Sequence, residues 1–350
     1  MKRFEFIQPS SVEEALAAWE PGAAWLGGGT NLLDLMKIGA MQPDRVIDIT
    51  RLPGLSGIET LSDGSIRIGA LVRNSDLAVN ATVARDLPMV AEALLSGASG
   101  QLRNAATVGG NLMQHTRCNY FQDPHAACNR REPGAGCDAR EAGDRMALLG
   151  WSDGCIATNP SDFCVPLAAL DAVIEVRGPQ GAREIHVSEF HLLPGDNPQR
   201  VTALEPGELI LALRLPPEAT AFAGHARYLK VRDRTSFAFA MSSAAAALKM
   251  EDGRISDARL ALGAVAAKPW RAAEAEAMLS GAAPEEALFT RAADAALAEA
   301  KPSGDNAWKI DLARRTAVRA LLMAAAGTPA RIPALPASPF GSKVGDLAHA

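Results

Sequence analysis

Apolar residues along this chain alternate at strand spacing or recur at helical spacing in short blocks, and between about residues 112 and 158 that periodicity lapses. Residues 3–7, RFEFI, alternate as a strand, and Ser10 or Ser11 caps a helix over SVEEALAAW with Glu13 and Glu14 in its first turn, where acids suit the helix dipole. AAWL at 23–26 reads as a strand feeding a glycine turn and then helical LLDLMKIG. RVIDI at 45–49 is strand-like, and Asp63-Gly64 marks a hairpin between ETLS and SIRIGAL. One helix is expected over VARDLPMVAEALLSG, with Asp76 upstream as a helix N-cap, and the apolar run CVPLAALDAVIEVRG at 164–178 reads as strand. A break falls at Pro216-Pro217.

From about Gly224 a second domain is expected. ARYLKVRD is its first strand, and FAFAMSSAAAALKM turns at Asp252-Gly253 into ISDARLALGAVA as a hairpin, although the alanine run equally suits a helix on propensity. Three helices follow: PWRAAEAEAMLSG, PEEALFTRAADAALAEA with Pro284 at its start, and NAWKIDLARRTAVRALLMAAAG with Asn306 as cap and Gly327 as terminator. The Pro-rich end from Pro329 is expected to be an extended tail.

A length of 350 residues fits two domains. A formal charge of −5 and a pI near 5.8, with both signs mixed along the chain, exclude the basic stripe that a nucleic-acid partner requires. No apolar run reaches the roughly 18 residues that span a bilayer, and MKRFEFIQPSSVEEAL lacks the apolar region of an export signal, so a soluble chain without its own signal is expected.

Cysteine use changes the picture. All five cysteines lie between Cys118 and Cys164, none elsewhere in the chain. Cys118, Cys128, Cys137 and Cys155 fall in a glycine- and proline-bearing excursion, separated by nine, eight and seventeen residues, which matches neither a zinc ribbon nor a bacterial ferredoxin run. Arg117, Arg130 and Arg131 flank them, and cations beside thiolates favour ligation of an anionic cluster. An iron–sulfur centre, zinc and disulfides all stay open on spacing alone. His115 and His125 are competing ligand candidates.

The turn LGGGTNLLD at 26–34 can curl so that several backbone N–H groups point at one anion, as a pyrophosphate needs. It is not the GxGxxG fingerprint of a Rossmann domain. Ser99, Gly100, Thr107, Gly109, Gly110 and Asn111, then Ser161-Asp162, repeat the same small and polar character.

With LGGGTNLLDLMK, ASGQLRNAATVGGNLMQ, ATNPSDFCVPLAALDA, GELI and YLKVRDRTSFAFA together, residues 1 to about 325 resemble the FAD-binding subunits of xanthine dehydrogenase-type molybdenum hydroxylases. Within that family the cysteine-bearing insert RTRCNYF, ACNRREPGAGC and DGCIATNPSD makes the chain most similar to the FAD and iron–sulfur subunits of periplasmic aldehyde oxidoreductases. The resemblance implies an α+β architecture: a vanillyl-alcohol-oxidase-type (PCMH) FAD fold of two α/β subdomains over 1–220, with a 4Fe-4S insert at about 112–158. A C-terminal α+β domain of the CO dehydrogenase flavoprotein type over 224–327 and a tail at 328–350 would follow.

The site residues it implies are specific. Leu26, Gly27, Gly28, Gly29, Thr30, Asn31, Leu32, Leu33 and Asp34 would hold the FAD pyrophosphate, through backbone amides and the Thr30 and Asn31 side chains. Thr107, Val108, Gly109, Gly110 and Asn111 would complete the phosphate and ribityl site. Asp162 would accept hydrogen bonds from FAD hydroxyls, and Lys230 would stand near the isoalloxazine to stabilise the reduced flavin's charge. Cys118, Cys128, Cys137 and Cys155 would ligate one 4Fe-4S cluster, leaving Cys164, where the family pattern has a small apolar residue, as a buried thiol.

Its partners would be a small 2Fe-2S subunit and a large molybdopterin-binding subunit, which carries the substrate pocket, so no catalytic residue is expected on this chain. The compartment is periplasmic by co-export with a signal-bearing partner, or cytoplasmic. The rival readings are a free-standing FAD oxidoreductase of the same fold and a zinc-stapled binding module without enzymatic activity.

Overall fold

The structure, a computed structural model, describes residues 1–330. Three sheets organise it. Glu5–Ile7, Arg45–Asp48 and Ala23–Leu26 form a parallel three-stranded sheet with Arg45–Asp48 in the centre, closed by the helices Val12–Ala18 and Leu32–Ile38. Ser11 caps the first helix by accepting from the Glu14 N–H at 3.1 Å, while the Glu14 carboxylate accepts from the Ser10 N–H at 2.8 Å.

A five-stranded antiparallel sheet runs Ile58–Thr60, Ile66–Gly69, Leu209–Leu215, Val173–Gly178, Gly181–His186. Its apolar face packs on the helices Asn74–Val79, Ala81–Asp86, Pro88–Ser96 and Cys164–Ala169 in one continuous core. The third sheet, in the order Trp270–Arg271, Arg254–Gly263, Ser242–Glu251, Ala226–Val231, is antiparallel. The helices Ala273–Leu279, Glu286–Ala296 and Trp308–Ala325 cover one side of it. Alanines 244–247 are fully buried there: small side chains let a helix lie close to a strand, so packing overrides their helix propensity.

Several expectations need correction. CVPLAAL is a helix, and the strand starts only at Val173, because a short apolar run is compatible with either element and here burial on all sides decides. The single helix over VARDLPMVAEALLSG is two, divided at Leu87, since Pro88 cannot donate into the preceding turn and opens a new helix instead. Asp76 lies in the first turn of its helix, and Arg73 holds the N-cap position. FAFAM is a loop, and the strand begins at Ser242. Trp270–Arg271 is an edge strand rather than a helix start.

Asn306 also differs: Ala307 holds the N-cap position, and the Asn306 side chain accepts from the Ser303 N–H at 3.0 Å and donates to Met146 O at 3.1 Å. Gly327 follows the last helix at φ +96°, as a terminator should. The expected tail from Pro329 falls largely on residues 331–350, outside the described residues. No helix among the described residues is long and apolar enough to cross a membrane.

Candidate functional site

A cavity of about 970 Å3 opens between the first two sheets' helices and the third sheet. Of the expected FAD contacts, Thr30, Asn31, Asp34, Gly110, Asn111 and Asp162 line it. Leu26 to Gly29, Leu32, Leu33, Thr107 to Gly109 and Lys230 are not part of its lining. Gly28 is the tightest point: a Cβ there would lie 2.0 Å from Ala105 O and 2.7 Å from Ala105 C, so only glycine lets the two backbones meet. Gly29 follows at φ +73° and turns the chain into the helix at Leu32.

Opposite this turn, Thr107 is buried and caps the short helix Val108–Leu112, its Oγ accepting from the Gly110 N–H at 3.2 Å. Val108 is a core residue, and Gly109 packs on Ala70. The Asn111 Oδ1 accepts from Ser161 Oγ at 2.8 Å, which joins the TVGGN segment to the Ser161-Asp162 turn across the cavity floor.

Asp162 is more constrained than an acceptor waiting for ligand hydroxyls. Tyr228 Oη donates to its Oδ1 at 2.6 Å, and Lys230 Nζ donates to its Oδ2 at 2.7 Å. Lys230, with a side chain 2% exposed, is thus neither a solvated strand-end charge nor a residue of the cavity lining. Tyr228 and Lys230 project from one face of their strand because they are two residues apart. Burial pushes the Tyr228 phenol well above its ordinary range, and the Asp162 carboxylate adds to this, so it acts as a fixed donor.

The strand is anchored by Glu92, which accepts from the Tyr228 N–H at 2.6 Å and from Arg227 at 2.8 Å. Lys230, Arg232 and Arg103 all donate to carbonyls 95–97, at the C-terminal end of the helix Pro88–Ser96, where cations are favoured. Sequence reasoning missed Tyr228, Glu92, Arg103 and Arg232, although the i, i+2, i+4 spacing of Tyr228, Lys230 and Arg232 was a signal that they share one strand face.

The four expected ligands Cys118, Cys128, Cys137 and Cys155 line one small hollow beside the cavity, and none is disulfide-bonded. Two local devices bring them together: Cys128 and Cys137 face each other in an isolated antiparallel bridge, and Asn129 clamps that bridge by accepting from the Gly136 N–H at 2.9 Å and donating to Gly154 O at 3.0 Å. Burial pushes the Cys118 thiol up to about 11, against the pull of the Phe121 and Tyr120 backbone N–H groups. The Ala139 and Ile156 N–H groups act in the same way on Cys137, which burial also raises.

Cys164 lies elsewhere, fully buried in the main core, its thiol pushed up to about 12 by burial. His115 borders neither the cavity nor the hollow: it is stacked on Phe121 and held near 4 by burial with help from Arg130 and Arg117. His125 is likewise absent from the hollow's lining.

The residues present fit a dinucleotide. Asn31, Asn74 and Arg117 line the cavity, and the buried atoms Asn31 Nδ2, Asn74 Oδ1 and Arg117 Nε have no hydrogen-bond partner in the protein, so this wall holds polar groups that the chain itself leaves unpaired.

Comparison with known proteins agrees. Residues 2–218 match the family described as the FAD binding domain in molybdopterin dehydrogenase, and residues 227–324 match the CO dehydrogenase flavoprotein C-terminal domain. The chain is similar to the aldehyde oxidoreductase FAD-binding subunit PaoB of Escherichia coli strain K12, at 48% identity over 330 residues that cover 93% of this chain and 99% of the relative. It is also similar to the carbon monoxide dehydrogenase medium chain of Hydrogenophaga pseudoflava, at 30% identity over 91% of this chain and 96% of that one.

Among solved structures, a carbon monoxide dehydrogenase from the same organism matches with a TM-score of 0.72 and 29% identity, over 93% of this chain and 98% of the other. With both domains matched in order and a relative at 48% identity along nearly its whole length, the chain belongs to the FAD-binding medium subunits of the xanthine dehydrogenase family of molybdenum hydroxylases and is an oxidoreductase subunit.

Proposed function

We propose that this chain is the electron-transfer subunit of a three-subunit, molybdenum-dependent aldehyde oxidoreductase, carrying one 4Fe-4S cluster beside its FAD. The substrate would be oxidised on a large molybdopterin-binding partner, and electrons would reach this chain through 2Fe-2S clusters of a small partner. FAD supplies the one- and two-electron chemistry when bound. The chain's own residues orient it, exclude water and set the surrounding charge.

The observation that carries this reading is a shared wall: Thr116 and Cys118 line both the FAD cavity and the cysteine hollow. A cluster held by Cys118 would lie next to the flavin compartment, which favours a place on the electron path over a purely structural staple. The cluster reading is further supported by the thiol chemistry. Four unpaired cysteines line one hollow, and backbone N–H groups aimed at Cys118 and Cys137 are the hydrogen bonds that stabilise cluster thiolates. The aldehyde substrate class rests on the similarity to an aldehyde oxidoreductase subunit.

Iron and acid-labile sulfide analysis of the purified chain, with its visible spectrum, tests the proposal. Serine at Cys118, Cys128, Cys137 or Cys155 is expected to lower iron content severalfold, whereas Cys164→Ser leaves it at the wild-type level. Zinc in place of iron, or iron lost only with Cys164→Ser, would overturn the assignment. FAD without iron would revive the free-standing flavoenzyme.

A further inference from the structure

We propose that Arg117 donates to the pyrophosphate of bound FAD and is its principal side-chain counter-charge. Arg117 borders the FAD cavity, its Nε is shielded from solvent, and no protein acceptor meets it. Among the described residues it forms no salt bridge. A cation taken out of water without an acceptor is costly, so this arrangement requires one from outside the chain.

The position selects which part of FAD supplies it. The His115 N–H donates to Asn31 Oδ1 at 2.8 Å and so lays residues 115–117 against the 26–34 turn. The Phe239 ring, 4.8 Å from the Arg117 Cζ, covers one face of the guanidinium and leaves its in-plane N–H groups for an acceptor. A planar fork of this kind matches phosphate oxygens, and the pyrophosphate is the anionic group of FAD. Because Cys118 follows directly, FAD binding would also stiffen the wall shared with the cysteine hollow.

The inference rests on the pyrophosphate lying at the 26–34 turn, and the experiment separates the two. The full-length chain is stripped of FAD with bromide and titrated with FAD and with riboflavin, which has the same ring system and no phosphate. Arg117→Gln is expected to weaken FAD binding roughly ten- to a hundredfold, the range for losing a charge-assisted hydrogen bond, and to leave riboflavin within about twofold. Arg117→Lys should fall between, since it keeps the charge and loses the fork, and it carries the test should the glutamine variant not fold. Asn31→Leu probes the turn together with its tie to the His115 N–H, while both Arg117 variants leave that tie in place.

FAD affinity unchanged in both Arg117 variants while Asn31→Leu weakens it would sink the role of Arg117 and leave the turn standing. If neither position matters, the turn placement itself is wrong. Equal losses for FAD and riboflavin would make Arg117 merely structural and also overturn the proposal.

Discussion

Gly28→Ala is expected to strip most of the flavin from an otherwise folded protein, and Gly28→Val to remove it altogether. The added Cβ would stand 2.0 Å from Ala105 O and 2.9 Å from Ala106 Cα, and both are backbone atoms that no rotamer change can move aside. The 26–34 turn and the 100–107 segment must therefore separate. Thr107, whose Oγ a Cβ at Gly27 would meet at 2.8 Å, is drawn into the same displacement. Overpacking of this kind costs about 1–3 kcal/mol of stability. The larger effect falls on the cavity, because Thr30 and Asn31 on one side and Gly110 and Asn111 on the other line it together. The flavin-to-protein ratio after purification checks this, with Gly57→Ala, where a Cβ meets nothing within 4 Å, as the control. Wild-type flavin content in Gly28→Val would refute it.

Lys309→Met is expected to flatten the stability of the protein between neutral and alkaline pH. Lys309 is 1% exposed, and its Nζ donates to Arg145 O at 2.7 Å, Met146 O at 2.9 Å and Ala264 O at 2.6 Å, pinning the end of the cysteine insert to the C-terminal domain. Burial pushes the amine down to about 7, with Asp144 opposing and Arg145 adding to the fall. The folded pKa thus lies below the ordinary 10.5.

Between those two values the unfolded chain binds more protons than the folded one, so stability rises with pH across this window. The slope is at most about 1.4 kcal/mol per pH unit. Below pH 7 the amine is charged in both states and its contribution no longer varies. Urea unfolding at pH 6.5, 8 and 9.5 should show the wild type gaining on Lys309→Met as pH rises, and parallel curves would dismiss the idea. Arg145, Met146 and Ala264 also border the FAD cavity, so the variant should release FAD faster.

Much of this protein was legible in the chain because the signals are local. A serine cap with Glu14 three residues on, a strand ending in three glycines and the Asp63-Gly64 hairpin each act over a few residues, and each forms where expected. The cysteine grouping was equally plain, since four of five cysteines in one aperiodic stretch have no packing reason to cluster. What failed was also instructive: CVPLAAL became a helix because its run is apolar on every side, so periodicity carries no information and the surrounding core chooses.

The site itself was decided by tertiary structure. Asp162 meets Tyr228 and Lys230 across 66 and 68 residues, and Lys309 reaches carbonyls 45 to 164 residues away. No local rule carries such pairings. They arise because burial forbids an unpaired charge, and only the folded packing determines which partner is within reach. The sequence by itself determined the glycine turn, the thiol set and the order of the two domains. The fold decided that Lys230 faces Asp162 instead of solvent, and that Thr116 and Cys118 form one wall between the FAD cavity and the cysteine hollow.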